Sequence, residues 1–292
     1  MIYDVRQETI YHYDSPVAYG HHVLRLTPID RERQRVHAAA LEITPTPIER
    51  REGQDFFGNR ITWIAFDQPH DTLTVRVAAR IAVEQPVAVE PGATPVWEKV
   101  REAAFASADL SPKSPSHYLF PSRQVSLDPE IRDYAALSFP PGRAVLAGAA
   151  DLMKRIKSEF VYEVGATTAS TTPPMSFALR RGVCQDFTHI MISGMRALGL
   201  PVAYVSGYLR TVQAAGEKRL EGADAMHAWA LAWCGERSGW IGFDPTNAVL
   251  AGSDHVVLAI GRDYADVAPF DGVIFASGAQ RLETSVHVVP VG

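Results

Sequence analysis

Cysteine is scarce in this chain: Cys184 and Cys234 are the only two among 292 residues. Two thiols build no disulfide framework, and their spacing makes no CxxC metal pair. Long apolar runs are also missing. No stretch of about 18 apolar residues offers a membrane span. The opening Met1-Ile-Tyr-Asp-Val-Arg-Gln-Glu has no apolar signal-peptide core. A basic excess is lacking too. The net charge is −5, and the densest cluster, Arg31, Arg33 and Arg35, is diluted by Glu32 and Gln34, which argues against a nucleic-acid partner. There is no acidic loop of the calcium-binding kind, so neither metal nor cofactor is expected. What is left is an ordinary globular chain, 47% hydrophobic and 21% charged. It is expected in the cytoplasm, without a membrane partner, where a reducing medium keeps thiols free.

What is present begins with strands. From Asp71 onward, Leu73, Val75, Val77, Ala79, Ile81 and Val83 face one way, and Thr72, Thr74, Arg76 and Arg80 face the other. Val36 to Thr44 is apolar and stops at Pro45, and a turn at Phe56 to Arg60 leads into Ile61 to Phe66. Residues 1–86 are therefore expected to form a small antiparallel sandwich. Residues 87–140, rich in proline, carry a helix near Val96 to Ala106 and a helix start at Asp128-Pro129. They read as a mostly helical linker packing on a core of residues 141–292. That core opens with a helix running to about Phe160, with Leu146, Ala149, Leu152, Met153 and Ile156 on one stripe. A polar loop is expected at Gln213 to Ala225.

The chemistry gathers around Gly182-Val183-Cys184-Gln185-Asp186-Phe187. After the cysteine, Phe187, Ile190, Met191, Gly194, Met195 and Leu198 keep a helical rhythm, which ends at Gly199-Leu200-Pro201. Cys184 thus falls in the first turn, where the helix dipole favours a thiolate. Taken alone, it reads equally as a nucleophile or as a small core thiol. Two strands follow, His227 to Cys234 and Trp240 to Asp244, joined through Gly235 and Gly239. A two-residue turn at Gly235-Glu236 would set Cys234 opposite Arg237 and His227 opposite Asp244. A longer loop would leave that pair diagonal, about 7–8 Å apart. A first-turn thiol, a histidine and an orienting carboxylate make a nucleophilic triad in chemical terms. His189, on the far side of the cysteine helix, is not expected to be the base.

These residues resemble the signatures of the transglutaminase-like superfamily. The segments are the cysteine stretch, Met226-His227-Ala228-Trp229, and Gly239-Trp240-Ile241-Gly242-Phe243-Asp244-Pro245-Thr246-Asn247. The opening, with Leu24-Arg25-Leu26-Thr27-Pro28 and Asp55-Phe56-Phe57-Gly58-Asn59, and the tail from His255 to Pro269 are similar to the bacterial branch described as transglutaminase-like cysteine proteases. The resemblance implies an α+β fold. An N-terminal antiparallel β-sandwich-like domain would precede a papain-like, transglutaminase-like core, its nucleophile helix packed on an antiparallel sheet. It also implies Cys184 as nucleophile, His227 as base and acid, and Asp244 as orienting carboxylate. The animal cross-linking enzymes place a tryptophan after the nucleophile and another upstream. Here Gln185 follows Cys184, and no tryptophan lies between Trp97 and Trp229. The oxyanion donors must differ: the Cys184 N–H, with Tyr162 or the Gln185 side chain as second donor. Asp186, Trp229, Asn247, Arg262 and Asp263 are candidates for support around the triad, although Arg262 and Asp263 equally suit a structural ion pair.

The expected function is a thiol enzyme acting on amide bonds of peptides or proteins through an acyl-enzyme. Hydrolysis is favoured over amine transfer, because the tryptophans of the cross-linkers are missing. Protein cross-linking is the first alternative; a non-catalytic binding or assembly protein on the same fold is the second.

Overall fold

The computed structural model describes residues 1–211, 223 and 225–291. The polar loop expected at Gln213 to Ala225 lies, apart from Ala223 and Ala225, outside the described residues. Six strands come first: β1 (Ile2–Val17), β2 (Tyr19–Leu24), β3 (Gln34–Thr44), β4 (Glu49–Gln54), β5 (Arg60–Phe66) and β6 (His70–Val83). Helices α1 (Trp97–Phe105) and α2 (Pro129–Ala136) follow, then α3 (Val145–Glu159). Asp128 caps α2 by accepting the N–H groups of Glu130 and Ile131, the role its position before Pro129 predicts. The core continues with β7 (Val161–Tyr162), α4 (Pro173–Leu179), β8 (Arg181–Gly182) and α5 (Cys184–Ala197). Last come β9 (Val202–Leu209), β10 (Met226–Trp233), β11 (Trp240–Asp244), β12 (Val249–Leu250), β13 (His255–Gly261), α6 (Tyr264–Val267), β14 (Phe270–Phe275) and β15 (Gln280–Pro290).

The early strands build two antiparallel sheets, in the orders β15-β1-β6-β3 and β14-β2-β5-β4. Alternation decides which faces meet. Leu73, Val75 and Val77 turn inward with Tyr13, Leu24, Ile64 and Phe66 to fill the sandwich. The outward face carries charge in register: Asp4 sits opposite Arg80 and Glu8 opposite Arg76, and each pair is hydrogen-bonded. The sandwich does not close within residues 1–86. β14 and β15 return from the C-terminal end to cover β2 and β1, so the segment expected as core, residues 141–292, gives its last strands to the sandwich. Unpaired edges of β1 and β2 would present open backbone groups. The returning strands satisfy them.

The core sheet is antiparallel in the order β12-β11-β10-β9-β13. Phe187, Ile190, Met191 and Met195 of α5 pack with Val202, Tyr204, Ala228 and Ala230 of the sheet and with Leu152 and Ile156 of α3. The helix is enclosed more fully than an amphipathic stripe implies, because its polar residues are buried as well. The segment between α1 and α2 covers them. The Ser193 hydroxyl donates to the Ser126 carbonyl at 2.6 Å, and Arg196 donates to the carbonyls of Phe120 and Val202. The sheets of the sandwich and the core meet directly, with Tyr3, Val5 and Ile81 against Tyr208, Val256 and Leu258.

Candidate active site

Cys184 is the first residue of α5, and the turn before it is tightly held. The Asp186 carboxylate reaches back to accept the Val183 N–H at 2.8 Å and the Thr167 hydroxyl at 2.6 Å. Burial raises the Asp186 pKa above the usual carboxylate range, and those hydrogen bonds oppose the rise. Gly182 is required here: a Cβ at that position would fall 2.5 Å from Asp186 Oδ2. Asp186 therefore braces the turn that leads into Cys184. Cys184, 9% exposed, opens onto a cleft of about 340 Å³ that it shares with His227, Tyr204 and Tyr264.

His227 comes from β10, opposite Gly207 of β9. A Cβ on Gly207 would lie 2.1 Å from the Val256 carbonyl and 2.5 Å from the Trp229 ring, so only glycine lets the tryptophan sit there. Trp229 in turn stacks on His227, with centroids 6.2 Å apart. Asp244 ends β11. The β10–β11 connection is longer than a two-residue turn: Cys234 N–H bonds Gly239 O, and Gly239 N–H bonds Gly235 O. Both glycines have positive φ, 96° and 62°, which makes this wider loop available. Ala230 faces Phe243 and Trp233 faces Trp240. That register places Asp244 diagonal to His227 on the same face. The diagonal still brings His227 Nε2 to 2.9 Å from Asp244 Oδ2.

Asp244 is saturated with donors. Its Oδ1 accepts the N–H groups of Thr246 (2.9 Å) and Asn247 (3.2 Å), and its Oδ2 accepts the Asn247 amide at 2.8 Å. His255 of β13 adds another contact, with its Nε2 3.3 Å from Oδ2. His255 Nδ1 accepts the Gly252 N–H, which leaves the His255 proton on Nε2, aimed at the carboxylate. Burial alone would raise the Asp244 pKa, but the His227 charge and hydrogen bonds from both histidines reverse this and lower it. For His227, burial pulls the pKa down. The Asp244 charge and hydrogen bond outweigh it, with help from Cys184, and push it up to about 10. His227 Nδ1 has no hydrogen bond of normal geometry; it is the ring nitrogen left for the thiol.

Trp229 and Asn247 therefore stand against His227 and Asp244. Gln185 lines the cleft, but its amide donates to the Ala169 carbonyl at 3.0 Å. Tyr162 packs against Phe187 (ring centroids 6.4 Å apart) and is not among the residues lining the cleft. Arg262 pairs with Asp266 at 2.8 Å, while Asp263 caps α6 and accepts the Gln124 N–H; both stand away from the cleft. Sequence reasoning gave His255 a structural role without linking it to Asp244, and assigned no role at the site to Tyr204 or Tyr264. Nothing in their spacing marks them, since each arrives on a separate element. Burial raises the Tyr204 pKa well above the ordinary phenol range, so its hydroxyl stays protonated beside the thiol. His227, Asp244 and His255 also bring ligand-type atoms within 4.8 Å of one another, a set with the chemistry for a borderline divalent cation. Each contributing atom is already engaged in the hydrogen bonds above. Among the described residues, no helix is long and apolar enough to cross a membrane.

Comparison with known proteins agrees with this architecture. Residues 3–82 match the bacterial transglutaminase-like N-terminal region, and residues 140–245 match the transglutaminase-like superfamily. An uncharacterized protein of Mycobacterium tuberculosis is 36% identical over 305 residues, covering 99% of this chain and 92% of the relative. An uncharacterized protein of Mycobacterium leprae is 31% identical over 286 residues, covering 97% of each. The crystal structure of a candidate cysteine protease from Cytophaga hutchinsonii has the same fold, with a TM-score of 0.75 and 22% identity, covering 100% of this chain and 92% of that one. The chain belongs to the transglutaminase-like superfamily, in the bacterial branch that carries this N-terminal region.

Proposed function

We propose that the protein is a thiol hydrolase of amide bonds in peptides or proteins. One observation carries the reading: a buried His227–Asp244 pair at 2.9 Å whose second ring nitrogen is left for Cys184 in an open cleft. His227 Nδ1 takes the thiol proton, and the sulfur attacks the carbonyl carbon. The oxyanion is met by the Cys184 N–H, which has no partner within its helix, and by the protonated Tyr204 hydroxyl. His227 then returns its proton to the leaving amine as the C–N bond breaks, leaving a thioester. Water attacks the thioester while His227 accepts its proton, and the C–S bond breaks to release the acid and restore the thiol. Asp244 holds the imidazole so that Nδ1 serves both steps.

An amine in place of water would make the same thioester the intermediate of a cross-link. Gln185, where the cross-linkers have tryptophan, favours hydrolysis. A reducing compartment such as the cytoplasm would keep Cys184 free, and both cysteines are unpaired. The test is incubation with a peptide library, with and without a labelled amine, followed by mass. Cleaved peptides are expected in both arms. Amine incorporation without hydrolysis would overturn the reading.

A further inference from the structure

The cleft has two walls, and only one belongs to the catalytic core. The other is the inner face of the sheet β15-β1-β6-β3, which presents Thr9, Tyr11, Val75 and Leu282 to the space above Cys184. Resting on the hydrolase reading above, we propose that this sandwich wall selects the substrate, and that it selects an uncharged, apolar side chain on the acyl donor.

Three observations support this. The first is where the sheet's inner face changes character. At one end Tyr3, Val5 and Ile81 pack on the core sheet, and at the other Tyr13 and Leu73 pack inside the sandwich. Between these zones the alternation puts Gln7 and Thr9 inward, 5% and 7% exposed. They are tied into a string: the Tyr208 hydroxyl donates to Gln7 Oε1, Gln7 Nε2 donates to Thr9 Oγ1 at 3.0 Å, and the Thr284 hydroxyl donates to the same Oγ1. A sheet face does not bury polar groups at its centre without cost. Here they border the cleft, where a bound amide can use them.

The second is charge. Among the described residues, no Asp, Glu, Lys or Arg lines the cleft, although the outer face of the same sheet carries Asp4, Glu8, Arg76 and Arg80. Among the described residues, a charged side chain lying against the sandwich wall would lose its hydration and find no counter-ion on that wall. An apolar one would gain from contact with Tyr11, Val75 and Leu282. The third is size. At about 340 Å³ the cleft is at the lower end of the roughly 300–1,000 Å³ usual for ligand pockets. That suits a short segment of chain rather than a folded surface.

The test uses three probes on the full chain: the chloromethyl ketones of N-acetyl-leucine, N-acetyl-lysine and N-acetyl-glutamate. In each, a bond forms between Cys184 Sγ and the methylene carbon as the C–Cl bond breaks and chloride leaves. Every rate is divided by the iodoacetamide rate of the same protein, which removes differences in thiol reactivity. The leucine probe is expected to label Cys184 at least about tenfold faster than either charged probe. Leu282, 55% exposed on β15, can be changed without opening the core. Leu282→Glu should lower the leucine rate and raise the lysine rate; Leu282→Lys should raise the glutamate rate instead. Equal normalised rates for the three probes in the wild type, or no change of preference in the two variants, would overturn the assignment. The nucleophile reading fails separately: if iodoacetamide at pH 6 labels wild type and His227→Ala alike, that reading is wrong and the wall assignment falls with it.

Discussion

His189 and His227 are both buried in the core, and they behave as opposites. His189 rides on α5, the helix that begins at Cys184, and its Nε2 accepts the Tyr264 N–H at 3.2 Å. Burial pushes its pKa down to about 4, with Asp263 opposing the change and Arg196 assisting it. His227 stands on the sheet across the cleft. Burial pulls it the same way, yet Asp244 and Cys184 raise it instead. The two are 1% and 2% exposed, so depth does not separate them. What differs is the partner at Nε2. A backbone donor needs the neutral ring at His189, whereas a carboxylate favours the charged ring at His227. Closeness to the thiol in sequence is a poor guide to the base; the atom touching the ring is a good one.

Taking away the carboxylate should break this contrast most severely. Asp244→Ala leaves His227 and His255 facing a void and should cost about 3–5 kcal/mol in urea unfolding. A cost below about 1 kcal/mol would mean that Asp244 holds no buried charge. Next, the two rings should load opposite arms of the pH–stability curve. The His227 pKa is raised on folding, so its contribution is complete below about 6.5 and fades as pH rises through about 10. The His189 pKa is lowered, so its contribution is present above about 6.5 and fades as pH falls toward about 4. The arms are at most about 5 kcal/mol for His227 and about 3 kcal/mol for His189. His227→Gln should flatten the alkaline fall and His189→Gln the acid fall. Finding both variants flattened on the same arm would contradict the assignment of charge.

A smaller effect is expected from His255→Phe, which removes one donor from Asp244 and should cost about 1.5–3 kcal/mol. His255→Gln, which still donates, should recover part of that loss; no recovery would assign His255 to packing alone. Gly182→Ala should cost about 1–3 kcal/mol by forcing Asp186 away from the Val183 N–H. Thermal unfolding of that variant with Asp186→Asn as a second substitution checks the coupling: simple additivity would show that the two residues do not meet.

The juxtaposition of Cys184, His227 and Asp244 was legible in the sequence because each residue sits in a local frame that can be read alone. Cys184 follows a turn glycine and starts a clear helical stripe, and His227 and Asp244 stand on strands with a short connection. The two-residue turn was wrong, because Gly235 and Gly239 both take positive φ and support a wider loop. The pairing survived because a two-residue shift keeps side chains on the same face. His255 was not legible as a partner of Asp244: its approach depends on β13 crossing to the far side of β9, a long-range pairing that leaves no local mark. The same holds for β15. Its alternation of Leu282, Thr284, Val286 and Val288 marks a strand, but nothing in it names β1, from the opposite end of the chain, as neighbour. For that reason the sandwich wall of the cleft emerges only from the fold.

The central claim is that His227 keeps the Cys184 sulfur reactive, and one measurement addresses it directly. Wild type and His227→Ala are treated with iodoacetamide at pH 6, and the alkylation rate of Cys184 is followed by peptide mass. Cys234, buried and with its thiol pKa pushed up to about 12, reports any unfolding. The wild type should react about 10²-fold faster or more, with Cys234 unlabelled in both proteins. Equal rates at Cys184, with Cys234 still protected, would contradict the account.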